Sequence, residues 1–291
     1  MRGGWGCRFG MACTALLSSS ATAQETPKGN FELVWADEFD RDGAPDPAKW
    51  NWDIFANKTG WHNGERQYYA ADRPENARVE NGRLIITARK EMLSDRADHG
   101  GQGYSSARLT TQGKAEFTSG LIEVRAKLPC GEGLWPAIWT LGATTPWPDS
   151  GSIDIMEFDR KASAVTGTVH NISTSGTAGN GGRVDVADAC GAFHDYQLLW
   201  TPRELRFAID GKPYHRYANA GTGMAQWPFD KAHYLILSLA VRGADGEVAN
   251  DAIFPARFEI EHVRIYRQRP RGSVAVDGAG QQVGDAAMIG E

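Results

Sequence analysis

Residues 121–128 read LIEVRAKL, and from residue 122 onward apolar and charged side chains alternate along this stretch. The apolar side chains occupy the even positions and the charged ones occupy the odd positions. Because successive side chains of a β-strand point to opposite faces, the alternation predicts a strand with one buried face. Half-buried strands of this kind are typical of antiparallel sheets.

Strand patterns recur along the chain, whereas helical periodicity is hard to find after residue 24. A nearly all-apolar run at 234–241 predicts a central strand that is covered on both faces. The other predicted strands are 83–88 after the Asn81-Gly82 turn, 258–266, and a hairpin of 205–209 and 213–217 around Asp210-Gly211. Many strands without intervening helices predict an all-β sandwich or barrel. The sequence between the two ends shows no internal repeat and no linker that would divide it into domains.

The composition excludes several classes of protein. The 291 residues include 31 Lys+Arg and 36 Asp+Glu, with a net charge of −5 and no long basic run, which argues against nucleic-acid binding. A hydrophobic content of 41% with 10% aromatic residues excludes a disordered chain. The 34 Gly suit turns between short strands, and 10 Trp exceed what a core usually needs. We therefore expect some Trp on a working surface, the alternative being that all are core.

The two ends of the chain differ from its middle. Residues 1–23 have a positive start, a short apolar stretch and an Ala21-Thr22-Ala23 cleavage pattern, which predict a secretory signal peptide. A lipoprotein anchor at Cys13 is the alternative. Residues 269–291 are rich in Gly and Ala and predict a disordered tail, or else the remnant of a second module. We expect one domain at 24–268, secreted or periplasmic, monomeric and free of the membrane after cleavage.

Four cysteines are present, of which Cys7 and Cys13 fall in the predicted signal. Cys130 and Cys190 remain. In an oxidising compartment these two would form a disulfide, and two separate buried thiols are the alternative. Two cysteines with no matching His cluster do not predict a zinc site.

The chemistry is predicted in residues 151–157, GSIDIME, where carboxylates are interleaved with Ile and Met. Strict alternation would place Ser152, Asp154 and Met156 on one face and Glu157 on the other. A one-residue β-bulge at Met156 would return Glu157 to the face of Asp154. Bulges are frequent beside active sites, where they re-aim a side chain in this way.

This segment resembles glycoside hydrolase family 16, in particular its bulge-containing branch of laminarinases (endo-1,3-β-glucanases). The family motif is E-I-D-I-M-E, and residues 152–157 read SIDIME. The resemblance covers roughly residues 31–267 and includes VWADEF at 34–39, WHNGERQYY at 61–69, YSSARL at 104–109, GLWPAIW at 133–139, TVH at 168–170, WPF at 227–229 and VRIY at 263–266. It implies a β-jelly roll of two curved antiparallel sheets and a retaining glycosidase acting on a polysaccharide.

The resemblance also implies catalytic roles. Glu157 matches the acid/base, Asp154 matches the helper between the two catalytic positions, and Ser152 stands where the family has its nucleophilic Glu. A Ser hydroxyl is too short to span the gap and is a poor nucleophile without an adjacent base, so hydrolysis should be disabled. Two explanations stay open: a deliberate Glu→Ser change that makes a substrate trap or a glycosynthase, or a natural pseudoenzyme that binds glucan.

The expected substrate surface is aromatic. Trp135 and Trp139 share a strand face about 13 Å apart, a spacing suited to successive glucose rings. The resemblance adds Asn63, Arg108, His170, Trp61 and Trp227 as substrate-binding residues. Alternatives remain for four of the seven: Trp139 and, less so, Trp135 in the core, Arg108 as a surface ion-pair partner and His170 as a core histidine.

β-1,3-Glucan (laminarin) is the expected substrate, with mixed-linkage glucan or a marine galactan as alternatives, and a lectin as a more distant one. The Met156 insertion argues against the unbulged lichenase type. The resemblance further suggests a structural calcium near Glu38 and Glu261, and we expect no cofactor for catalysis.

Overall fold

The computed structural model describes residues 30–159, 163–175, 178–243 and 249–269, together with Met1. The predicted signal peptide, Met1 apart, and the predicted tail from residue 270 lie outside the described residues. Within the described part, no helix is long and apolar enough to cross a membrane.

The described residues form eighteen strands, numbered β1 to β18 along the chain, in two large antiparallel sheets and one small parallel pair. The first sheet contains β1 (Phe31–Asp37), β4 (Ala77–Val79), β5 (Leu84–Ala88), β9 (Gly120–Lys127), β14 (His194–Trp200), β15 (Glu204–Ile209), β16 (Lys212–Ala218) and β18 (Ala256–Gln268). The second sheet contains β2 (Asn51–Trp52), β7 (Arg108–Thr110), β8 (Glu116–Phe117), β10 (Leu134–Gly142), β11 (Ser152–Asp159), β12 (Ala164–His170), β13 (Asn180–Asp185) and β17 (His233–Val241). The parallel pair is β3 (Gln67–Tyr69) and β6 (Tyr104–Ser106). Single 3₁₀ turns span His62–Gly64, Ile172–Thr174 and Asp251–Ile253.

Strand order runs β16-β15-β14-β9-β18-β5-β4 in the first sheet, with β1 also on β18, and β13-β12-β11-β10-β17-β7-β2 in the second, with β8 also on β17. One apolar core receives side chains from both sheets, including Val124 of β9, Ile138 of β10 and Leu237 of β17. The predicted all-β jelly roll is confirmed.

Several predicted strands are present. The Asp210-Gly211 turn has φ of 49° and 74°, as a tight two-residue hairpin between β15 and β16 requires. Every residue of β17 is buried, so the predicted central strand is covered on both faces.

The alternation at 121–128 predicted the buried face of this strand correctly, but it did not predict the burial of Glu123 on the opposite face. Ile122 and Val124 are buried in the core, as predicted. Glu123, expected in water, is only 4% exposed, and Gln197 Nε2 of β14 donates to its Oε2 at 2.7 Å. A carboxylate can remain buried there because a neighbouring strand supplies the hydrogen bond.

Of the two alternatives for the cysteines, the structure shows the disulfide. Cys130 and Cys190 are bonded, with a Cα–Cα distance of 5.6 Å and a sequence separation of 60. The bond ties the chain just before β10 to the segment between β13 and β14. In the chain-entropy model, closing a loop of this length stabilises the fold by about 4 kcal/mol.

Candidate active site

The predicted bulge is present in β11. Asp154 pairs with Trp139 of β10, whereas the adjacent residue of β10, Ile138, pairs with Met156. On the other side of β11 the register against β12 also shifts between Asp154 and Glu157. The bulge leaves both Ile155 and Met156 buried, at 2% and 0% exposure. Asp154 and Glu157 therefore emerge on the same face of the sheet.

This face lies opposite the sandwich core and carries a row of polar and aromatic side chains across five neighbouring strands. Reading from β12 to β7, the row comprises His170, then Ser152, Asp154 and Glu157, then Trp135 and Trp139, then Ser238 and finally Arg108. Five strands span four interstrand steps, which is about 19 Å. The row thus runs across the strands and has the length of a short oligosaccharide.

Glu157 has the environment of a general acid. The indole Nε1 of Trp135 donates to Glu157 Oε1 at 2.8 Å. Burial, with the Asp154 carboxylate as the second cause, raises the pKa of Glu157 to about 8. Hydrogen bonding from Trp135 and the charges of His170 and Arg242 act in the opposite direction. A carboxyl group with this pKa keeps its proton at neutral pH and can give it to a leaving group.

Asp154 is paired with a histidine. His170 Nε2 lies 3.2 Å from Asp154 Oδ2, and the hydrogen bond between them raises the pKa of His170. The backbone of Gly179 covers the imidazole so closely that a Cβ there would lie 2.7 Å from His170 Cε1. His170 is therefore part of the site, not a core histidine.

Ser152 lies beside His170 in register and is 4% exposed. The imidazole directs Nε2 to Asp154 and not to the Ser152 hydroxyl. The loss of the nucleophile at Ser152 stays a prediction.

The two indoles of β10 diverge across the sheet. Trp135 points to Glu157 on β11, whereas Trp139 Nε1 donates to Ser238 Oγ on β17 at 3.3 Å. Both rings are partly exposed. The predicted stacking of sugar rings on them stays a prediction, with the two rings lying on either side of β10.

Arg108 occupies the far end of the row. Its guanidinium carbon lies 4.8 Å from the ring centroid of Trp139 and 4.9 Å from that of Trp61, and its Nε is 2.8 Å from Asp53 Oδ2. Arg108 thus forms an ion pair in a largely buried position, and a sugar contact for it stays a prediction. The same contacts make Arg108 a support for the Trp139 ring.

Two predicted substrate contacts are buried. Trp227 is 6% exposed and packs with Tyr217 at 5.9 Å and Phe229 at 5.3 Å, within the main core. This corrects its assignment as a substrate-binding residue. Trp61 is also 6% exposed, and its Nε1 donates to Asn57 Oδ1 at 3.0 Å. Trp61 contacts the row of polar and aromatic side chains at Arg108, whose guanidinium lies over its ring.

Asn63 is exposed in the His62–Gly64 turn, where its φ of 59° is left-handed. Its side chain hydrogen-bonds Glu65, whose pKa is raised chiefly by burial. Gln67 Nε2 donates to Glu65 Oε2 at 2.8 Å, while Gln67 Oε1 accepts from the backbone N–H of Val241 at 2.7 Å. A sugar contact for Asn63 stays a prediction.

Sequence reasoning missed Arg242, which follows directly after β17. Its guanidinium carbon lies 4.3 Å from the ring centroid of Trp135, and its charge acts on Glu157. In the sequence, Arg242 is a single cation at the end of the apolar run 234–241. That position does not indicate which aromatic ring its side chain contacts.

The predicted calcium site does not fit these side chains. Arg264 donates from Nε and Nη2 to the two oxygens of Glu38 at 2.8 and 2.9 Å. Glu261 accepts from Arg125 Nε at 2.9 Å and lies 3.4 Å from Arg83 Nη2. Guanidinium groups thus hold both carboxylates and would repel a cation. Among the described residues, no group of three or more His, Cys, Asp or Glu is arranged to hold a metal ion.

Comparison with known proteins gives consistent findings. Residues 64–260 match the sequence model of Glycosyl hydrolases family 16. A beta-glucanase of Rhodothermus marinus is 43% identical over 253 residues, spanning 82% of this chain and 86% of the relative. A glucan endo-1,3-beta-glucosidase of Cryptopygus antarcticus is 35% identical over 255 residues, spanning 81% and 92%.

A solved structure is also similar along nearly its whole length. It is a Glu-to-Ser mutant of SCLam, a non-specific endo-beta-1,3(4)-glucanase, co-crystallised with 1,3-beta-D-cellotriosyl-glucose. It has a TM-score of 0.80 and 47% identity, and the match covers 84% of this chain and 97% of that one.

Proposed function

Because the chain belongs to glycoside hydrolase family 16, we propose that its cleft binds β-1,3-glucan and is that of a secreted retaining β-glycosidase whose hydrolysis Ser152 disables. The observation that carries the proposal is the β11 bulge, which gathers Ser152, Asp154 and Glu157 on one face. Relatives named for action on β-1,3-glucan support the choice of substrate. The Cys130–Cys190 disulfide supports an oxidising compartment.

The mechanism follows from Glu157 and Ser152. Glu157, protonated near neutral pH, donates its proton to the leaving glycosidic oxygen. A retaining hydrolase then needs a second carboxylate about 5–5.5 Å away to attack the anomeric carbon. Ser152 offers only an unactivated hydroxyl, so no glycosyl-enzyme intermediate forms. The polysaccharide binds without being cleaved.

The decisive experiment is Ser152→Glu. Restoring a carboxylate beside Asp154 should raise laminarin hydrolysis by about 10³-fold or more, because the missing nucleophile is the only catalytic role left unfilled. Hydrolysis is measured as reducing sugar released from laminarin, lichenan, agarose and carrageenan. Ser152→Ala is the control and should stay as inactive as the parent. A folded Ser152→Glu protein that cleaves none of the four would refute the nucleophile assignment.

A second candidate function is a natural glucan-binding protein without catalysis, and Ser152 itself favours it. Both functions predict that laminari-oligosaccharides bind to the parent protein. They differ when an α-glycosyl fluoride is supplied, since only a competent site joins this donor to an acceptor sugar. Absence of any oligosaccharide product, together with an inactive Ser152→Glu, would favour the binding function.

A further inference from the structure

We propose that Arg242 is a positioning residue for Glu157, acting through the indole ring of Trp135. The inference rests on the proposed role of Glu157 as the acid/base. It concerns a residue at which neither the sequence pattern nor the family resemblance points to a function.

The backbone around Arg242 is held from two sides. Its N–H donates to the carbonyl of Gly133 at 2.8 Å, immediately before β10 begins. The preceding residue, Val241, donates to Gln67 Oε1 at 2.7 Å and accepts from the N–H of Arg66 at 2.9 Å. The base of the Arg242 side chain is therefore fixed relative to β10, the strand that carries Trp135.

The guanidinium then lies over the indole. Its carbon is 4.3 Å from the ring centroid of Trp135, a distance typical of a cation–π contact. The contact occupies one face of the ring and restricts rotation of the side chain. A ring held in this way keeps its Nε1 at 2.8 Å from Glu157 Oε1. The cation also draws electron density from the ring, which makes the N–H a stronger donor.

The charge of Arg242 reaches Glu157 as well. The charged groups with the largest effects on this carboxyl are Asp154 on the same strand, His170 on β12 and Arg242 after β17. Asp154 raises the pKa of Glu157, whereas His170 and Arg242 lower it. Arg242 thus counteracts the effect of burial on the pKa of Glu157. Its loss should raise this pKa further, because the positive charge is removed and the hydrogen bond from Trp135 is weakened.

The test is a pH titration of the parent protein followed by NMR, with no need for activity. The indole N–H resonance of Trp135 reports the charge of Glu157 because the two are hydrogen-bonded, and Trp135→Phe identifies the resonance by removing it. In Arg242→Gln the midpoint should move to higher pH by about 1 unit. In Arg242→Lys, which keeps the charge, it should stay close to that of the parent.

Arg66→Met is the matched control. Arg66 also stacks on an aromatic ring, with its guanidinium carbon 5.0 Å from the Tyr104 centroid, and its side chain touches Gly243. Its charge is not among the largest effects on Glu157. Its replacement should leave the midpoint unchanged, and dispersion of the other indole resonances checks folding. A midpoint in Arg242→Gln equal to that of the parent would overturn the proposal.

A kinetic readout separates this inference from the proposed function. In the Ser152→Glu background, kcat/KM should fall at alkaline pH as Glu157 loses its proton. Arg242→Gln should move this fall to higher pH by an amount similar to the shift of the NMR midpoint. If Ser152→Glu proves inactive while the Trp135 resonance still shifts in Arg242→Gln, the proposed function fails and the positioning by Arg242 stands.

Discussion

At the scale of single residues, Glu157 carries a proton that two different reactions would use in opposite ways. Hydrolysis by Ser152→Glu needs protonated Glu157 to assist the leaving group. Joining of an α-glycosyl fluoride to an acceptor needs the carboxylate instead. The acceptor oxygen then attacks the anomeric carbon, the C–F bond breaks, fluoride departs, and Glu157 takes the acceptor proton.

The two activities should therefore have opposite pH dependence. Because burial and Asp154 raise the pKa of Glu157 to about 8, oligosaccharide synthesis by the parent should increase as the pH rises through that value. Hydrolysis by Ser152→Glu should decrease as the pH rises through the alkaline range. The decrease should occur at a higher pH than the rise in synthesis, because the new carboxylate raises the pKa of Glu157 further. Product formation is measured against an enzyme-free blank. Glu157→Gln should abolish the rise, and a pH-independent synthesis by the parent would contradict the assignment.

At the scale of elements, strand β13 and the turn before it support the pair formed by His170 and Asp154. Gly179 has a φ of +75°, and a Cβ there would lie 2.6 Å from Thr168 Cγ2 and 2.7 Å from His170 Cε1. Both the backbone conformation and the space at this position require glycine. The close contact keeps the His170 ring against Asp154.

Gly179→Ala should consequently displace the imidazole. Since hydrogen bonding to Asp154 raises the pKa of His170, the displaced ring should titrate at lower pH, measured from its Cε1–H resonance. Gly221→Ala is the matched control, because its φ of +72° is similar but nothing lies within 4 Å of the added Cβ. Gly221→Ala should lose about 1 kcal/mol of stability from backbone strain, and Gly179→Ala should lose more because the added Cβ also meets Thr168 and His170. Only Gly179→Ala should change the pKa of His170. An equal pKa of His170 in the two variants would show that Gly179 does not hold the imidazole against Asp154.

The elements also show what a sequence can predict. The buried face of β9 follows from local periodicity, which neighbouring residues alone determine. The bulge in β11 is a departure from strict alternation, and it was indicated by the carboxylates of the SIDIME segment together with the resemblance of this segment to the bulge-containing branch. The burial of Glu123 does not follow from local periodicity, because its hydrogen-bond donor, Gln197, is 74 residues away. Trp227 was misplaced for the same reason, since the ring that covers it, Tyr217, comes from β16. Contacts between distant strands decide these positions.

At the scale of the whole molecule, arginine–carboxylate pairs join strands of the first sheet to one another and to the segments beside them. The Arg264–Glu38 pair connects positions 226 residues apart. Arg125 on β9 and Arg83, just before β5, both pair with Glu261 on β18. Because Glu38 is partly exposed, we assign the Arg264 pair less than about 1 kcal/mol. The pairs nevertheless occupy the carboxylates on which a structural cation would depend.

Thermal stability should therefore be independent of calcium. A specifically bound ion stabilises the folded state by an amount that grows with its concentration, so its removal lowers Tm. With Glu38 and Glu261 already held by guanidinium groups, Tm in EDTA and in excess calcium should agree within about 1 °C, whereas each 1 kcal/mol would shift it by about 2–4 °C. Magnesium in place of calcium controls for ionic strength. A Tm that falls in EDTA and recovers with calcium alone would show that oxygen ligands elsewhere in the chain hold the ion.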